Sequence, residues 1–230
     1  MRGWRGLYLV FRSRGVVYIA GAFGMSPEVL DVATAVKVVQ RGGVLLYPTS
    51  TLWGLGGDAR RRDVLQRIQG IKRREGSPFL VLIPERAAVG RLVDPLPSLA
   101  TQLMDAFWPG PLTLLLPAAS TVLPELVGSE GFVGLRLPTH PLTRELVEKM
   151  GSWLVSTSAN FSGDSSPRSL AEVHPQVRSQ VDGVLAGGCE PEGLPSTIVA
   201  VPTTGAARLV REGAIPREEL ARLLGDGLIE

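Results

Sequence analysis

The sequence contains one cysteine, Cys189, and two histidines, His140 and His174. A single cysteine excludes an internal disulfide and a cysteine-rich metal site, and it is typical of the reducing cytoplasm, where we expect the protein to reside. Two histidines are too few for a histidine-based zinc site without carboxylate ligands. The sequence also lacks GxxxxGK[ST], GxGxxG after a strand and HExxH, so three common nucleotide and metal motifs are excluded.

No apolar run approaches the roughly 20 residues that a membrane-spanning helix needs, so we expect no membrane association. The formal net charge is only +2, and any contact with nucleic acid would therefore depend on a local basic patch. Hydrophobic residues make up 44% of the chain, which is enough for a sizeable core. Repeats and low-complexity linkers are absent, so the sequence predicts one domain rather than two.

The first 24 residues differ from the rest because they contain four arginines and no acidic residue. A secretory signal peptide is disfavoured, since Arg12 and Arg14 interrupt two short apolar pieces. We expect residues 1–24 to be an N-terminal extension and Met25 to be the natural start. The domain would then occupy residues 25–230.

Apolar runs alternate with amphipathic segments along the remaining chain, which predicts an α/β class. Strands are predicted at 44–47, 79–83, 112–117, 132–138, 152–160, 181–188, 195–201 and 206–215. Helices are predicted at 26–41, 60–70, one or two within 85–107, 139–150, 169–181 with a proline break, and 217–225. The late series of strands indicates a mixed rather than a purely parallel sheet. Ser26 is the predicted start of the first helix, whose inward face would include Ala33, and Gly70 is the predicted end of the second.

Residues 42–59 carry the densest combination of signals. The strand 44–47 is followed by Pro48 and by three hydroxyl residues at 49–51. The glycines at 54, 56 and 57 predict a loop whose backbone can approach a ligand closely. On this stretch alone, a plain connection between strands and a site for an anionic or zwitterionic small molecule are equally good interpretations.

Three further polar clusters follow strands: residues 72–77, residues 156–162, and Ser196 with Thr197 and the later Arg211. Ligand crevices in open α/β sheets lie beyond strand ends, so we expect the clusters to converge. Arg136 lies inside an apolar strand, where an unpaired charge is costly, and it should meet a carboxylate of the protein or of a substrate.

His140 and Cys189 are poor candidates for nucleophilic catalysis. His140 precedes a predicted helix and has no nucleophile beside it, so a capping or surface role is expected. Cys189 follows two glycines in a predicted turn and is interpreted as incidental. A site rich in hydroxyls and cations but without a nucleophile favours catalysis by positioning and charge stabilisation, as in nucleotidyl or phosphoryl transfer.

Seven ordered motifs resemble the signature stretches of the YrdC-like threonylcarbamoyl-AMP synthases. They are YPTSTLWGLG, IKRREGSPFLVLI, FWPGPLTLLLP, VGLRLPTHP, LVSTSANFSG, PSTIVAV and LVREGAI. The resemblance covers about residues 28 to 220 and is to the short form without a second domain. It implies a single α/β domain of the YrdC-like and DHBP-synthase-like type, with a twisted mixed sheet, flanking helices and a concave positive surface.

The implied reaction joins L-threonine, bicarbonate or CO2, and ATP into L-threonylcarbamoyladenylate and pyrophosphate. This product serves the N6-threonylcarbamoyladenosine modification at tRNA position 37. By the resemblance, the L-threonine pocket contains Thr51, Arg136, Ser156 and Ser196. The ATP site contains Lys72, Arg74, Ser77, Ser158, Asn160, Ser166 and Arg211. Lys72 and Arg74 are the implied catalytic cations, and Mg2+ is expected to arrive with ATP.

Two kinds of partner are also implied: a tRNA or double-stranded RNA, and a separate threonylcarbamoyl transferase complex that receives the product. Three alternatives remain open. They are a YrdC-like paralogue with another substrate, a carbamoyl-transfer domain of the hydrogenase-maturation type, and a non-catalytic RNA-binding module. The single cysteine disfavours the second, because that domain normally accompanies zinc-finger modules.

The sequence departs from the family pattern at four positions. Ser50 stands where an acidic residue is usual, and Trp53 stands where a tyrosine or phenylalanine is common. Glu75 and Glu212 each replace a usual proline. These changes lie in the substrate-binding turns, so they bear on activity more than on fold.

Overall fold

The computed structural model describes residues 9–13, 16–20, 27–74 and 78–229. The strands are β1 Leu9–Ser13, β2 Val16–Ala20, β3 Val29–Leu30, β4 Leu45–Pro48, β5 Trp53–Asp58, β6 Leu80–Leu82, β7 Leu112–Pro117, β8 Phe132–Arg136, β9 Leu154–Ser158, β10 Gly183–Leu185, β11 Thr197–Ala200, β12 Ala207–Arg211 and β13 Leu228–Ile229. The α-helices are α1 Val32–Gln40, α2 Arg62–Lys72, α3 Ser98–Phe107, α4 Pro141–Met150, α5 Pro175–Arg178 and α6 Arg217–Leu224.

The strands form one mixed sheet in the order β1-β2-β3-β10-β4-β5-β9-β6-β8-β7-β11-β12-β13. The β4–β5, β5–β9 and β6–β9 pairs are antiparallel, whereas β6–β8, β7–β11 and β10–β4 are parallel. The predicted α/β class with a mixed sheet is therefore confirmed. Strands far apart in sequence become neighbours, and this brings the predicted polar clusters together.

Strand β4 is buried on both of its faces. Leu46 belongs to a hydrophobic cluster that includes Val64 of α2, whereas Leu45 and Tyr47 belong to a second cluster with residues of α1 and α4. Alternate residues of a strand point to opposite sides of the sheet, so helices cover β4 from both sides. This explains why 44–47 is a continuous apolar run rather than an alternating one.

The prediction of a glycine loop at 54–57 is wrong, because these residues lie within β5 and are buried. Added to Gly56, a Cβ atom would lie 1.8 Å from the carbonyl oxygen of Val155 on the neighbouring β9. At Gly54 it would lie 2.7 Å from the ring of Tyr47. The glycines therefore allow close strand pairing and leave room for the tyrosine ring, rather than giving the chain freedom to bend.

Two predicted helix ends are also wrong. Helix α1 begins after Asp31, whose side chain accepts from the Thr34 N–H, while Val29 forms a short strand instead. Its buried face contains Ala35 rather than Ala33. Helix α2 continues through Gly70 and ends at Lys72, and Arg73 follows in the left-handed conformation at φ 51°. A carboxylate cap and a left-handed terminus each satisfy helix-end groups that the apolar pattern does not report.

The other strand and helix predictions agree with the structure to within a few residues at their ends, and α4 ends at Met150 as predicted. Strands β1 and β2 lie within the predicted N-terminal extension and join the sheet through β3. The assignment of Met25 as the natural start stays a prediction. Among the described helices, none combines the length and apolar character required to cross a membrane.

Candidate ligand site

A cavity of about 450 Å³ lies where several elements meet. They are residues 49–51, which we call the hydroxyl turn, the end of β9, and strands β6, β7, β8 and β11. Polar and charged residues at its wall include Thr49, Thr51, Arg74, Thr113, Glu130, Arg136, Ser156, Thr157, Ser158, Ser166, Ser196 and Arg211. All four predicted polar clusters contribute or adjoin this cavity. The volume suits a small molecule rather than a macromolecular segment.

Arg136 is the most constrained cation of the cavity wall and is only 3% exposed. Its Nε donates to the carbonyl oxygen of Gly110 at 2.9 Å, Nη1 donates to Thr51 Oγ1 at 2.9 Å, and Nη2 donates to Ser50 Oγ at 2.6 Å. A guanidinium has five N–H donors. Two of them have no acceptor among the described residues and remain for a ligand.

The predicted carboxylate partner of Arg136 is not supplied by the described part of the protein, where none of the ion pairs involves this residue. Burial lowers the pKa of Arg136 to about 10. The charge of Arg211 acts in the same direction, while Tyr47 and Glu192 act in the opposite one. Arg136 therefore carries a full, poorly solvated positive charge at pH 7, and an anionic ligand would relieve the cost of its burial.

The hydroxyl turn holds Thr51 beside Arg136. Thr49 Oγ1 donates to the carbonyl oxygen of Leu52 at 2.7 Å, accepts from the N–H groups of Thr51 and Leu52 at 3.1 Å, and lies 2.9 Å from Thr51 Oγ1. Thr51 Oγ1 accepts from Arg136. A hydroxyl oxygen has two lone pairs, so Thr51 keeps acceptor capacity for a hydroxyl or amino group of a ligand.

A second hydroxyl pair lies across the cavity, where Ser196 Oγ and Thr113 Oγ1 are 2.9 Å apart. Arg211 Nη2 donates to the Ser196 carbonyl oxygen at 2.7 Å, and its Nε donates to the same oxygen at 3.2 Å. The sequence interpretation does not include Thr113 among the site residues. The sequence does distinguish Thr113, because it is the lone polar residue in the apolar run 112–117.

The two cations Lys72 and Arg74 of the cluster 72–77 lie in different environments. Arg74 is half-buried and lines the cavity, and burial lowers its pKa. Lys72 is only 2% exposed and is not part of the cavity wall; its Nζ donates to the carbonyl oxygens of Ser158 at 2.6 Å and Asn160 at 2.8 Å. The structure therefore brings Arg74, but not Lys72, to the ligand space. Ser77 lies outside the described residues.

Only some of the predicted site residues at the end of β9 and in the turn after it line the cavity. Ser156, Ser158 and Ser166 line the cavity as predicted, whereas Asn160 does not. The Asn160 Nδ2 donates to the carbonyl oxygens of Phe161 and Asp164 at 2.9 and 2.8 Å, so this side chain supports the turn. Asn160 instead lines a separate cavity beside Asp164 and His174, so its assignment to the ATP site stays a prediction.

An apolar wall completes the cavity, and the sequence interpretation does not identify it. Leu80 of β6 and Leu115 of β7 both pair in register with Gly134 of the intervening β8. Phe132 and Ile198 line the same space. Hydroxyl and cationic groups thus line one part of the cavity, and apolar side chains line another. This combination suits a ligand with an anionic group and a flat or apolar portion.

The expected capping or surface role of His140 is wrong. His140 is 1% exposed and makes no side-chain capping hydrogen bond, although it immediately precedes α4. Its Nε2 lies 3.0 Å from the carbonyl oxygen of Cys189 and must carry the proton, because a carbonyl only accepts. The Cys189 side chain is exposed.

The described residues contain no group of three histidine, cysteine, aspartate or glutamate side chains placed to hold a metal ion. Their fold and cavity define an α/β small-molecule-binding domain with a buried arginine at its centre. The family model for Sua5, YciO and YrdC proteins, described as "Telomere recombination", matches residues 37–213. The chain belongs to this family, which confirms the resemblance.

Relatives and solved structures agree with this assignment. The chain is 34% identical over 180 residues to a threonylcarbamoyl-AMP synthase of Marinobacter nauticus, covering 77% of this chain and 95% of that protein. It is 32% identical over 197 residues to a threonylcarbamoyl-AMP synthase of Bacillus subtilis, covering 85% of this chain and 57% of the relative. The crystal structure of P. abyssi Sua5 complexed with L-threonine aligns with TM-score 0.80 and 30% identity, covering 85% of this chain and 57% of that one. The chain thus spans little more than half the length of the longer relatives it matches.

Proposed function

We propose that the protein is a threonylcarbamoyl-AMP synthase, a nucleotidyltransferase that forms L-threonylcarbamoyladenylate and pyrophosphate from L-threonine, bicarbonate or CO2, and ATP. The observation that carries the proposal is Arg136, buried at 3% exposure with two N–H donors that no described residue accepts. A bound carboxylate would pair with both donors in the geometry that guanidinium groups favour.

L-threonine fits the surrounding groups. With its carboxylate on Arg136, its amino or hydroxyl group would lie within reach of Thr51 Oγ1, which keeps acceptor capacity. Ser156 and the Ser196 hydroxyl line the same space. The relative solved with L-threonine supports the choice of this amino acid.

ATP would occupy the remaining cavity, between the apolar wall and Arg74. The threonine amine takes up CO2 to become a carbamate, one carbamate oxygen attacks the α-phosphorus, and pyrophosphate leaves. Arg74 and Arg211 would offset the negative charge of the phosphates during this step. Lys72 would act more indirectly than the sequence predicts, by fixing the turn that carries Ser158.

Mg2+ would enter with ATP and be held mainly by phosphate oxygens, which is how this ion commonly binds nucleotides. The product would be handed to a separate threonylcarbamoyl transferase complex for the tRNA modification. The arginines at the start of α2 do not favour the non-catalytic RNA-binding alternative. The arginines there each pair with a carboxylate, in Arg60–Asp58, Arg61–Asp63, Arg62–Glu125 and Arg67–Asp182.

The test is to incubate the protein with Mg-ATP, bicarbonate and each of several amino acids and to measure pyrophosphate release and the adenylate by mass spectrometry. We expect release that requires L-threonine and bicarbonate together. Release without threonine, or with a different amino acid preferred, would favour the paralogue with another substrate. No release in the presence of intact tRNA binding would favour the RNA-binding module.

A further inference from the structure

Residues 187–193 form a strap between β10 and β11 that lies beside the hydroxyl turn. The N–H of Glu192 donates to the Ser50 carbonyl oxygen at 3.0 Å, and the N–H of Gly193 donates to the Thr51 carbonyl oxygen at 2.9 Å. Ser50 and Thr51 are the two residues whose hydroxyls accept from Arg136. The strap thus holds the backbone that presents these hydroxyls to the ligand.

The strap has little packing of its own to keep it in place. Most of its residues are exposed, with Gly193 the buried exception. Gly187, Gly188 and Gly193 have φ of +125°, +78° and +84°, conformations that glycine adopts but that offer no side chain to anchor the segment. Its position must depend on hydrogen bonds to neighbouring elements.

The shortest side-chain hydrogen bond to the strap among the described residues comes from His140. Its Nε2 donates to the Cys189 carbonyl oxygen at 3.0 Å, and a Cβ atom on Gly188 would lie 3.1 Å from its Cε1. Another side-chain hydrogen bond is longer, from Trp53 Nε1 to Glu190 Oε2 at 3.4 Å. Arg168 also lies against the far end of the strap, where a Cβ atom on Gly193 would lie 3.0 Å from its Cδ. The ring of His140 therefore both supports the strap from below and holds it through a hydrogen bond.

His140 is otherwise unexplained. It is buried, its Nδ1 has no hydrogen-bond partner among the described residues, and it is not part of the cavity wall. A buried polar atom without a partner is costly, so the contact made by the other ring nitrogen must carry the reason for a histidine here.

We propose that His140 is a positioning residue for the amino-acid end of the cavity, acting by fixing the strap against the Ser50–Thr51 backbone. This inference rests on the proposed function for the identity of the amino acid. It assigns to His140 a role in L-threonine binding that is separate from the ATP end. The hydrogen bonds at Glu192 and Gly193 are the link between His140 and Arg136's two hydroxyl acceptors.

The test compares the wild type with His140→Phe, which keeps a ring but removes the donor. Hydrogen exchange of the Glu192 and Gly193 amides, measured without ligand, should accelerate about tenfold. The dissociation constant for L-threonine, measured by calorimetry, should rise about tenfold, while that for a non-hydrolysable ATP analogue should change by less than about twofold. His140→Gln, whose amide N–H can donate from the same side, should recover most of both losses.

Cys189→Ala is the matched control, because the strap contact uses the backbone carbonyl and the Cys189 side chain is exposed. Unchanged amide exchange in His140→Phe, or equal losses of threonine and ATP affinity, would overturn the inference. If His140→Phe does not fold, His140→Asn, whose shorter side chain cannot reach the Cys189 carbonyl oxygen, should give the same selective pattern. If the wild type binds no L-threonine, the proposed function fails, and the amide exchange still decides whether His140 fixes the strap.

Discussion

The Nζ of Lys72 lies 2.6 Å from the carbonyl oxygen of Ser158, joining the end of α2 to the end of β9 across 86 positions of the chain. The same ammonium donates to the Asn160 carbonyl oxygen at 2.8 Å. These contacts place the cation beneath the turn whose Ser158 lines the cavity. Lys72 therefore shapes the site from behind its wall, while Arg74, two residues later, faces the ligand space.

The buried ammonium gives the first prediction, a pH-dependent stability. Burial, and then the charge of Arg74, lower the pKa of Lys72 from 10.5 to about 8. Between these pH values the unfolded chain binds more protons at this residue than the folded one, so stability rises with pH. The free energy of unfolding of the wild type, relative to Lys72→Met, should increase by about 3 kcal/mol from pH 8 to pH 10.5.

Denaturant unfolding of both proteins over this pH range would measure the increase. Lys149→Met is the control, because Lys149 lies on the exposed side of α4 in a surface pair with Glu145. A constant difference between the wild type and Lys72→Met across the range would show that Lys72 binds its proton equally in both states.

A second prediction concerns the two free donors of Arg136. Arg136→Ala should raise the KM or dissociation constant for L-threonine about 100-fold, since hydrogen bonds between charged groups are among the stronger ones. The constant for ATP should change far less, because the proposed function assigns the ATP phosphates to Arg74 and Arg211 rather than to Arg136. Arg144→Ala, which removes an exposed arginine of α4, controls for general loss of charge. Equal effects on threonine and ATP would mean that the carboxylate site is misassigned.

A third prediction uses the neutral partner of the same guanidinium. Ser50 Oγ lies 2.6 Å from Arg136 Nη2, so Ser50→Asp would place a carboxylate beside the charge that the ligand needs. The family usually carries an acidic residue at this position, so we expect Ser50→Asp to bind L-threonine within about threefold of the wild type, with the new carboxylate pairing with Nη2. Ser50→Asn has nearly the same size without the charge and is the matched control. Calorimetry of the two variants separates charge from shape, and a loss of more than about tenfold in Ser50→Asp alone would show that the carboxylate competes with the ligand.

A fourth prediction concerns β5. Gly56→Ala should lower the free energy of unfolding by more than about 3 kcal/mol, because its Cβ would lie 1.8 Å from the Val155 carbonyl oxygen. Gly70→Ala is the matched control: nothing lies within 4 Å of its Cβ, and it sits inside α2. There the change should stabilise by about 0.5 to 1 kcal/mol. Thermal and denaturant unfolding would measure both, and a mild effect at Gly56 would mean that β5 is not held against β9 as described.

The sequence by itself determined the α/β class, the mixed sheet and most of the polar cavity residues, because apolar periodicity and polar clusters after strands are local features of the chain. Thr51, Arg136, Ser156 and Ser196 all belong to motifs that the sequence shows directly. Arg136 is identifiable in this way because a charge inside an apolar strand is costly wherever that strand lies.

Only the tertiary structure decided which members of each cluster reach the ligand. Lys72 and Arg74 are both basic residues of one sequence cluster. The approach of β9 to α2 places Lys72 behind the cavity wall, whereas Arg74 lines the cavity. Gly56 reads as a flexible loop residue until Val155 lies against it, and His140 reads as a surface residue until the Cys189 carbonyl meets its ring. These outcomes depend on contacts between segments far apart in sequence, which no local pattern encodes.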